Sequence, residues 1–302
     1  MDGLLIIDKP AGLTSHDVVA RVRRILKTKR VGHTGTLDPF ATGVMVILVG
    51  QATRLAQFLD KDEKEYEALM RFGFETDTGD RTGVRSAECG VRNEELAELL
   101  AKVSWDQILS PFRGEIEQVP PMYSAKKVDG KKLYELARKG VEIERKPILI
   151  TIRELDVLNV EELRTPHSAL RIRVSCSAGT YIRTLAEDIG RAVGVGAHLG
   201  ELRRTRAGRF DISRAVTLSD LEKAADPTSN LVPMTEAVVH LPKVVLTDDR
   251  LDKTKNGLST RFPDAGFADG ESVRMVDAEA RLIAIGVYRA DEKTVQPKVV
   301  LG

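Results

Sequence analysis

The stretch from Arg30 to Gly50, RVGHTGTLDPFATGVMVILVG, constrains this chain more than any other. Val44 to Val49 is an unbroken apolar run, rich in β-branched residues and stopped by Gly50. Such a run reads as a strand buried on both faces. What precedes it is its opposite, a polar segment reading as a loop: Gly32, Gly35 and Gly43, threonines, His33 and one aspartate, Asp38, followed by Pro39. A following proline keeps Asp38 out of helical geometry, and the glycines let backbone approach a ligand closely. Two readings stay open on residue types alone. Asp38 either opens a turn before Pro39 or is a reactive carboxylate presented by a rigid loop beside a buried strand.

The 302 residues suggest about two domains with ample core. The net charge is only +1, so no polyanion partner is demanded globally. Its distribution is more telling. Arg21, Arg23, Arg24, Lys27, Lys29 and Arg30 form one basic cluster, and Lys126, Lys127, Lys131, Lys132, Arg138 and Lys139 a second. Arg203, Arg204, Arg206 and Arg209 form a third. Together they predict a segregated positive face, the footprint of a phosphate-backbone binder, although each cluster alone reads as a solvated surface. Cys89 and Cys176 are the only cysteines, and the five histidines lack ligand spacing, so neither a disulfide framework nor a metal site is expected. No apolar run approaches membrane-spanning length, and Leu4–Ile7 is too short for a signal segment. A cytoplasmic, reduced protein is expected.

In chain order, Gly3–Asp8 reads as a strand closed by Lys9-Pro10-Ala11-Gly12. Thr14 and Asp17, three residues apart, form a capping-box pattern that opens a helix with Val18, Val22, Ile25 and Leu26 as its apolar stripe. After the central strand, 52–59 continues as a short helix, and 64–73 alternates as a strand with Tyr66, Ala68, Met70 and Phe72 on one face. Tyr66 on its own reads as a core tyrosine with a satisfied hydroxyl. Residues 75–83 form a polar loop. The segment 118–140 opens with two prolines and interleaves the second basic cluster with Tyr123 and Tyr134, a mixture suited to phosphate contact and base stacking. It reads as an inserted arm, and 131–139 as an amphipathic helix. Leu170, Ile172, Val174 and Cys176 share the face of a further strand, which runs through a turn into a helix. Arg183 lies where strand becomes helix, able either to reach a site at the sheet edge or to pair on the surface with Glu187. Beyond a boundary near 226–230, the segment from 241 reads as a small all-β domain of short, glycine-punctuated strands.

Phosphate-loop, dinucleotide, nucleophile-elbow and kinase patterns are missing. One placed carboxylate, one candidate arginine, aromatics and basic clusters remain. They fit nucleophilic catalysis on a polyanion, and equally a non-catalytic RNA-binding protein.

Six blocks, in order, carry a resemblance that separates these. They are Asp8–Pro10, GHTGTLDPFATG (32–43), the TDT…D loop (76–80), QVPPMYSAKKVDGKKLYELARKG (118–140), GTYIRTLAEDIG (179–190) and LRRTRAGRF (202–210). The chain resembles the TruB family, the bacterial tRNA pseudouridine-55 synthases, over nearly its whole length. Its C-terminal segment resembles the PUA-type RNA-binding domain of the same proteins. The resemblance implies isomerisation of a uridine in the T-loop of tRNA, with Asp38 as nucleophile, Arg183 pairing with it, and Tyr66 stacking on the flipped base. His33 matches the residue that fills the vacated space, Tyr181 and Leu202 line the uracil pocket, and Lys9 with Pro10 buttresses the loop. Lys9, Arg204 and the arm lysines Lys126, Lys127, Lys131 and Lys132 complete the expected substrate-binding set. No cofactor, metal, membrane or protein partner is implied, and a monomer acting on the T-arm stem-loop is expected. The predicted architecture is α+β: a catalytic domain over 1–240 on a mixed, largely antiparallel sheet, with an insertion near 118–146, and a PUA-like domain over 241–302.

Overall fold

The computed structural model describes residues 1–301 except 61, 89, 91, 92, 125, 129, 138, 160–167 and 263–265, and its described side chains also exclude 87, 88, 93, 94, 127 and 132. The first strands are β1 (Gly3–Lys9), β2 (Val31–Thr34), β3 (Thr42–Val49), β4 (Lys64–Phe72), β5 (Phe74–Thr76) and β6 (Arg85–Glu88). Then come β7 (Gly114–Gln118), β8 (Lys127–Val128), β9 (Lys131–Lys132), β10 (Ile148–Asn159) and β11 (Ala169–Cys176). β12 (Ala197–Ala207), β13 (Phe210–Asp211) and β14 (Val216–Thr217) close the larger part of the chain. A ten-stranded sheet runs β14-β1-β3-β12-β4-β11-β10-β7, with β2 on β3 and β13 on β12. Only the β1–β14 and β3–β12 pairs within it are parallel. The fold is therefore α+β on a mixed, largely antiparallel sheet.

The apolar run becomes β3, and its alternation divides its side chains between two cores. Met45, Ile47 and Val49 pack under the helix Ser15–Ile25 with its Val18, Val19 and Val22. Val44, Val46 and Leu48 pack on the opposite face with Leu4, Ile6 and Leu55. Each such buried side chain contributes roughly 1.5–3 kcal/mol of transfer free energy, which makes this strand the anchor of the molecule. The helix starts as its sequence requires: Thr14 accepts from the Asp17 amide, and the Asp17 carboxylate accepts from the Thr14 amide.

Two elements differ from expectation. Val31–Thr34 is not loop but strand β2, paired in antiparallel register with Val46–Val49 of β3. The long neighbouring strand supplies a backbone ladder that polar residues can use. The helix expected over 131–139 contracts to Leu133–Ala137, because Lys131 and Lys132 are drawn into a hairpin with Val128 and Lys127. Gly130 turns that hairpin at φ +79°, in the left-handed region.

The smaller sheet orders β15 (Lys243–Val245), β16 (Thr260–Arg261), β17 (Ser272–Val276), β18 (Leu282–Arg289) and β19 (Thr294–Val300) as β15-β17-β18-β19-β16. It is the small, sheet-rich, PUA-like C-terminal unit, with one helix, Asp248–Lys255, between β15 and β16. Its Val276, Leu282, Ile285, Val299 and Leu301 join the core under β3. Arg54 adds a polar tie by donating to the Val300 carbonyl.

Candidate active site

One register row across the sheet assembles the site. Lys9 on β1 stands opposite Gly43, Gly43 opposite Arg204, Arg204 opposite Tyr66, and Tyr66 opposite Val174. Gly43 is required there. Its φ is +102°, and a Cβ would sit 2.2 Å from the Arg204 carbonyl oxygen, so no side chain fits where β3 and β12 meet.

The loop before Gly43 carries Asp38 and is pinned from two directions. Ser15 Oγ accepts from the Leu37 amide at 2.9 Å and donates to the Leu37 carbonyl at 3.1 Å. The Lys9 ammonium donates to the carbonyls of Ala41 (2.7 Å), Pro10 (3.0 Å) and Pro39 (3.2 Å). Lys9 is completely buried. Expected among the substrate-binding residues, it is instead sealed beneath the loop and acts through the backbone on either side of Asp38. Burial lowers its pKa to about 8, with Asp38 opposing that shift and Arg204 adding to it.

Arg183 arrives on the helix Ile182–Val193, whose N-cap is Tyr181 and whose end is closed by Gly194 at φ +86°. Its Nε donates to Asp38 Oδ2 at 2.9 Å. Its Nη1 donates to the Thr78 carbonyl at 2.8 Å and its Nη2 to the Tyr123 carbonyl at 2.7 Å. The surface pair with Glu187 is thus not where the guanidinium lies. Asp80, 4% exposed, stands with Oδ2 4.0 Å from Nη1. Its other oxygen accepts from the Thr82 amide at 2.8 Å and the Thr78 hydroxyl at 3.1 Å. The residues read as a plain polar loop therefore support Arg183 from behind. Loss of water pushes the Asp38 carboxyl above its ordinary range, Arg183 pulls it back most strongly, and Asp80 pushes it up.

A cavity of about 230 Å³ opens over this pair and is lined by Asp38, Tyr66, Tyr181, Arg183, Leu202 and Arg204, among others. Burial raises the pKa of both tyrosines, so both hydroxyls stay protonated at neutral pH. His33 lies on β2 with its ring edge-on to His16, 5.8 Å between centroids, and outside the lining of this cavity. Burial lowers its pKa, which favours the neutral ring.

The third basic cluster is divided: Arg209 is exposed, Arg203 and Arg206 are half-buried, and Arg204 is sealed. Arg204 is 1% exposed and donates to the carbonyls of Val44 (2.7 Å) and Gly35 (3.0 Å). Arg203 forks onto Asp8, and Arg206 lies 3.7 Å from Glu65. Arg204 meets the cavity as a wall, not as a surface cation. In the first cluster Arg21 is held by a two-bond fork to Glu222, while Arg24, Lys27 and Lys29 remain exposed. On the arm, Lys131 is exposed and Lys126 half-buried; the side chains of Lys127 and Lys132, and all of Arg138, lie outside the described set.

Two residues of the site escape sequence reasoning. Asp80 has a faint local signal, an aspartate two residues before Thr82 in a turn. Gln118, 2% exposed, opens the motif block 118–140 but has no role in the sequence reading, and it hydrogen-bonds the backbone of Tyr181 twice.

A sequence profile described as TruB family pseudouridylate synthase (N terminal domain) matches residues 23–182. One described as tRNA pseudouridylate synthase B C-terminal domain matches residues 183–245. The tRNA pseudouridine synthase B of Heliobacterium modesticaldum is 42% identical over 302 residues, covering 99% of this chain and 95% of its own. That of Aromatoleum aromaticum is 49% identical over 248 residues, covering 82% of this chain and 77% of its own. A solved structure titled "Crystal Structure of a Cbf5-Nop10-Gar1 Complex" superposes with a TM-score of 0.72 at 30% identity, covering 99% of this chain and 85% of that one. Fold and site together define a pseudouridine synthase, an isomerase. Within that class, the chain belongs to the TruB family.

Proposed function

We propose that the protein converts uridine 55 in the T-loop of tRNA to pseudouridine, acting alone, with Asp38 as nucleophile on a base flipped into the cavity. The observation that carries this reading is the clasp between Asp38 and Arg183 on the cavity wall, beside the ring of Tyr66. The names of the relatives support tRNA as the substrate.

The reaction is an isomerisation. The bond from ribose C1′ to uracil N1 breaks, a bond from C1′ to C5 forms, the C5 proton leaves and N1 ends protonated. Nothing is oxidised or reduced overall. Asp38 must be ionised to attack, and the Arg183 guanidinium favours that form while its other donors are held by backbone carbonyls. A third of the Asp38 side chain is exposed, so a nucleotide can reach it. Extruding a base costs a few kcal/mol, and stacking on an aromatic ring such as Tyr66 returns about 1–3 kcal/mol. In this reading the His33 ring fills the space left in the RNA, Tyr181 and Leu202 bound the base, and the lysine arm grips the T-arm backbone.

The test is tritium release from tRNA labelled at uracil C5, using the purified chain with no other protein. One tritium per tRNA is expected, and none from a tRNA carrying cytidine at position 55. Equal release from the cytidine-55 tRNA would exclude this target, and no release at all would return the protein to a binding role.

A further inference from the structure

Gln118 is the last residue of β7 and the root of the basic arm, 63 residues before Tyr181. Its buried amide makes a two-point clasp: Oε1 accepts from the Tyr181 amide at 2.7 Å, and Nε2 donates to the Tyr181 carbonyl at 3.0 Å. Both polar ends of the side chain are used. Tyr181 is the N-cap of the site helix and has no side-chain cap of its own, so this clasp fixes where the helix begins. Arg183 follows two residues later.

The arm also reaches Arg183 itself. The Tyr123 carbonyl accepts from Arg183 Nη2 at 2.7 Å. Between the two contacts lie Val119, Pro120, Pro121 and Met122. Two successive prolines fix φ and make a short, stiff spacer. Pro120 and Met122 are buried, and Arg145, on the returning side of the arm, donates to the Pro120 carbonyl at 3.2 Å. The root of the arm is thus a rigid bracket. One end holds the backbone that carries Arg183, and the other holds the guanidinium itself.

We propose that Gln118 is a positioning residue, and that the bracket Gln118–Tyr123 couples the RNA-gripping arm to the alignment of Arg183 on Asp38. The inference rests on the reading of Asp38 and Arg183 given above. It adds a residue to which neither the sequence nor the cavity lining assigns a role. Gln118 reaches the reacting atoms only through Tyr181 and Arg183. Its loss therefore acts on geometry: the helix start loses two bonds, and the arginine relaxes from the aspartate.

The experiment compares wild type with Gln118→Met, which keeps the length and removes both hydrogen bonds, and Gln118→Glu, which keeps the acceptor for the Tyr181 amide. Single-turnover rates at saturating enzyme, tRNA dissociation constants and the pH dependence of the rate are measured where all three are folded. Gln118→Met is expected to lose on the order of tenfold to a hundredfold in rate, as small misplacements of catalytic groups do. Its tRNA affinity should stay within about twofold, since ground-state contacts are untouched. The acid limb of its rate profile should move to higher pH, because a loosened Arg183 restrains the Asp38 proton less. Gln118→Glu should recover part of the rate. A wild-type rate in Gln118→Met would overturn the proposal, as would a loss of rate that merely follows tRNA affinity or the folded fraction. A wild-type protein that releases no tritium would instead sink the functional reading on which the proposal rests.

Discussion

Asp38 and Arg183, 145 residues apart in the chain, meet with Nε of one 2.9 Å from Oδ2 of the other. Their exposures differ: the arginine side chain keeps 6% of its surface and the aspartate 33%. A charge-assisted bond between a fixed cation and a half-open carboxylate holds the anion in place without covering it. The hidden partner needs its own support, which the carbonyls of Thr78 and Tyr123 supply.

Asp38→Asn keeps the shape and removes the charge of the proposed nucleophile. Tritium release should vanish while tRNA affinity persists. Stability should not fall at neutral pH, because the wild-type carboxyl is held above its ordinary pKa and its ionised form is a burden on the fold. Arg183 keeps two carbonyl acceptors in the variant. Thermal unfolding and single-turnover assays of one preparation check both halves, provided deamidation is excluded.

Arg183→Lys should lose on the order of a hundredfold or more in turnover with little change in affinity, since an ammonium cannot serve Asp38 and two carbonyls from one fixed fork. Near-wild-type turnover would show that the clasp is not needed for the chemistry.

The rate should fall as pH drops through the Asp38 pKa, at a midpoint above that of a free aspartate, because protonation neutralises the proposed nucleophile. Arg183 is the largest influence holding that pKa down, so Arg183→Met should move the midpoint higher still. A pH profile of single-turnover rates for both proteins measures the shift.

Lys9 gives a stability signature of its own. Its pKa is lowered from 10.5 to about 8 in the fold, so between those values the unfolded chain binds the extra proton and stability rises with pH. Below about 8 the buried charge works against folding. Relative to Lys9→Met, wild type should gain stability as pH rises from 7 to 10, by roughly 3 kcal/mol at most. Denaturant titrations across that range measure it. The same variant should turn over more slowly, because the carbonyls of Pro39 and Ala41 lose their shared donor.

Replacing Lys126, Lys127, Lys131 and Lys132 with alanine should weaken binding to an isolated T-arm stem-loop and flatten its salt dependence, because each phosphate contact releases counterions. The single-turnover rate at saturation should change little. Parallel salt titrations of equal affinity would make the arm an ordinary solvated surface.

Features that depend on neighbours in sequence were legible. The apolar run of β3, the Thr14–Asp17 capping box, the turn at Pro39 and the alternation around Tyr66 all follow from short-range rules of burial and backbone geometry. The fate of the arginines did not. Arg203 and Arg204 are adjacent and chemically identical, yet one forks onto Asp8 and the other is sealed beneath the Gly35 loop. No local pattern distinguishes them, because their difference is the alternation of β12 against β3 and β4.

By itself the sequence determined the buried strand β3, the capped helix after Thr14, the alternating strand around Tyr66 and which loop carries a placed aspartate, since propensity, periodicity and turn chemistry act over a few residues. Only the tertiary structure decided what that aspartate faces. The row from Lys9 through Gly43 and Arg204 to Tyr66 exists because four strands from distant parts of the chain pair in one register. The clasp of Gln118 on Tyr181 exists because β7 closes the far edge of the same sheet. Those choices are made by burial and hydrogen-bond satisfaction across the whole domain, and no short stretch contains the partners that settle them.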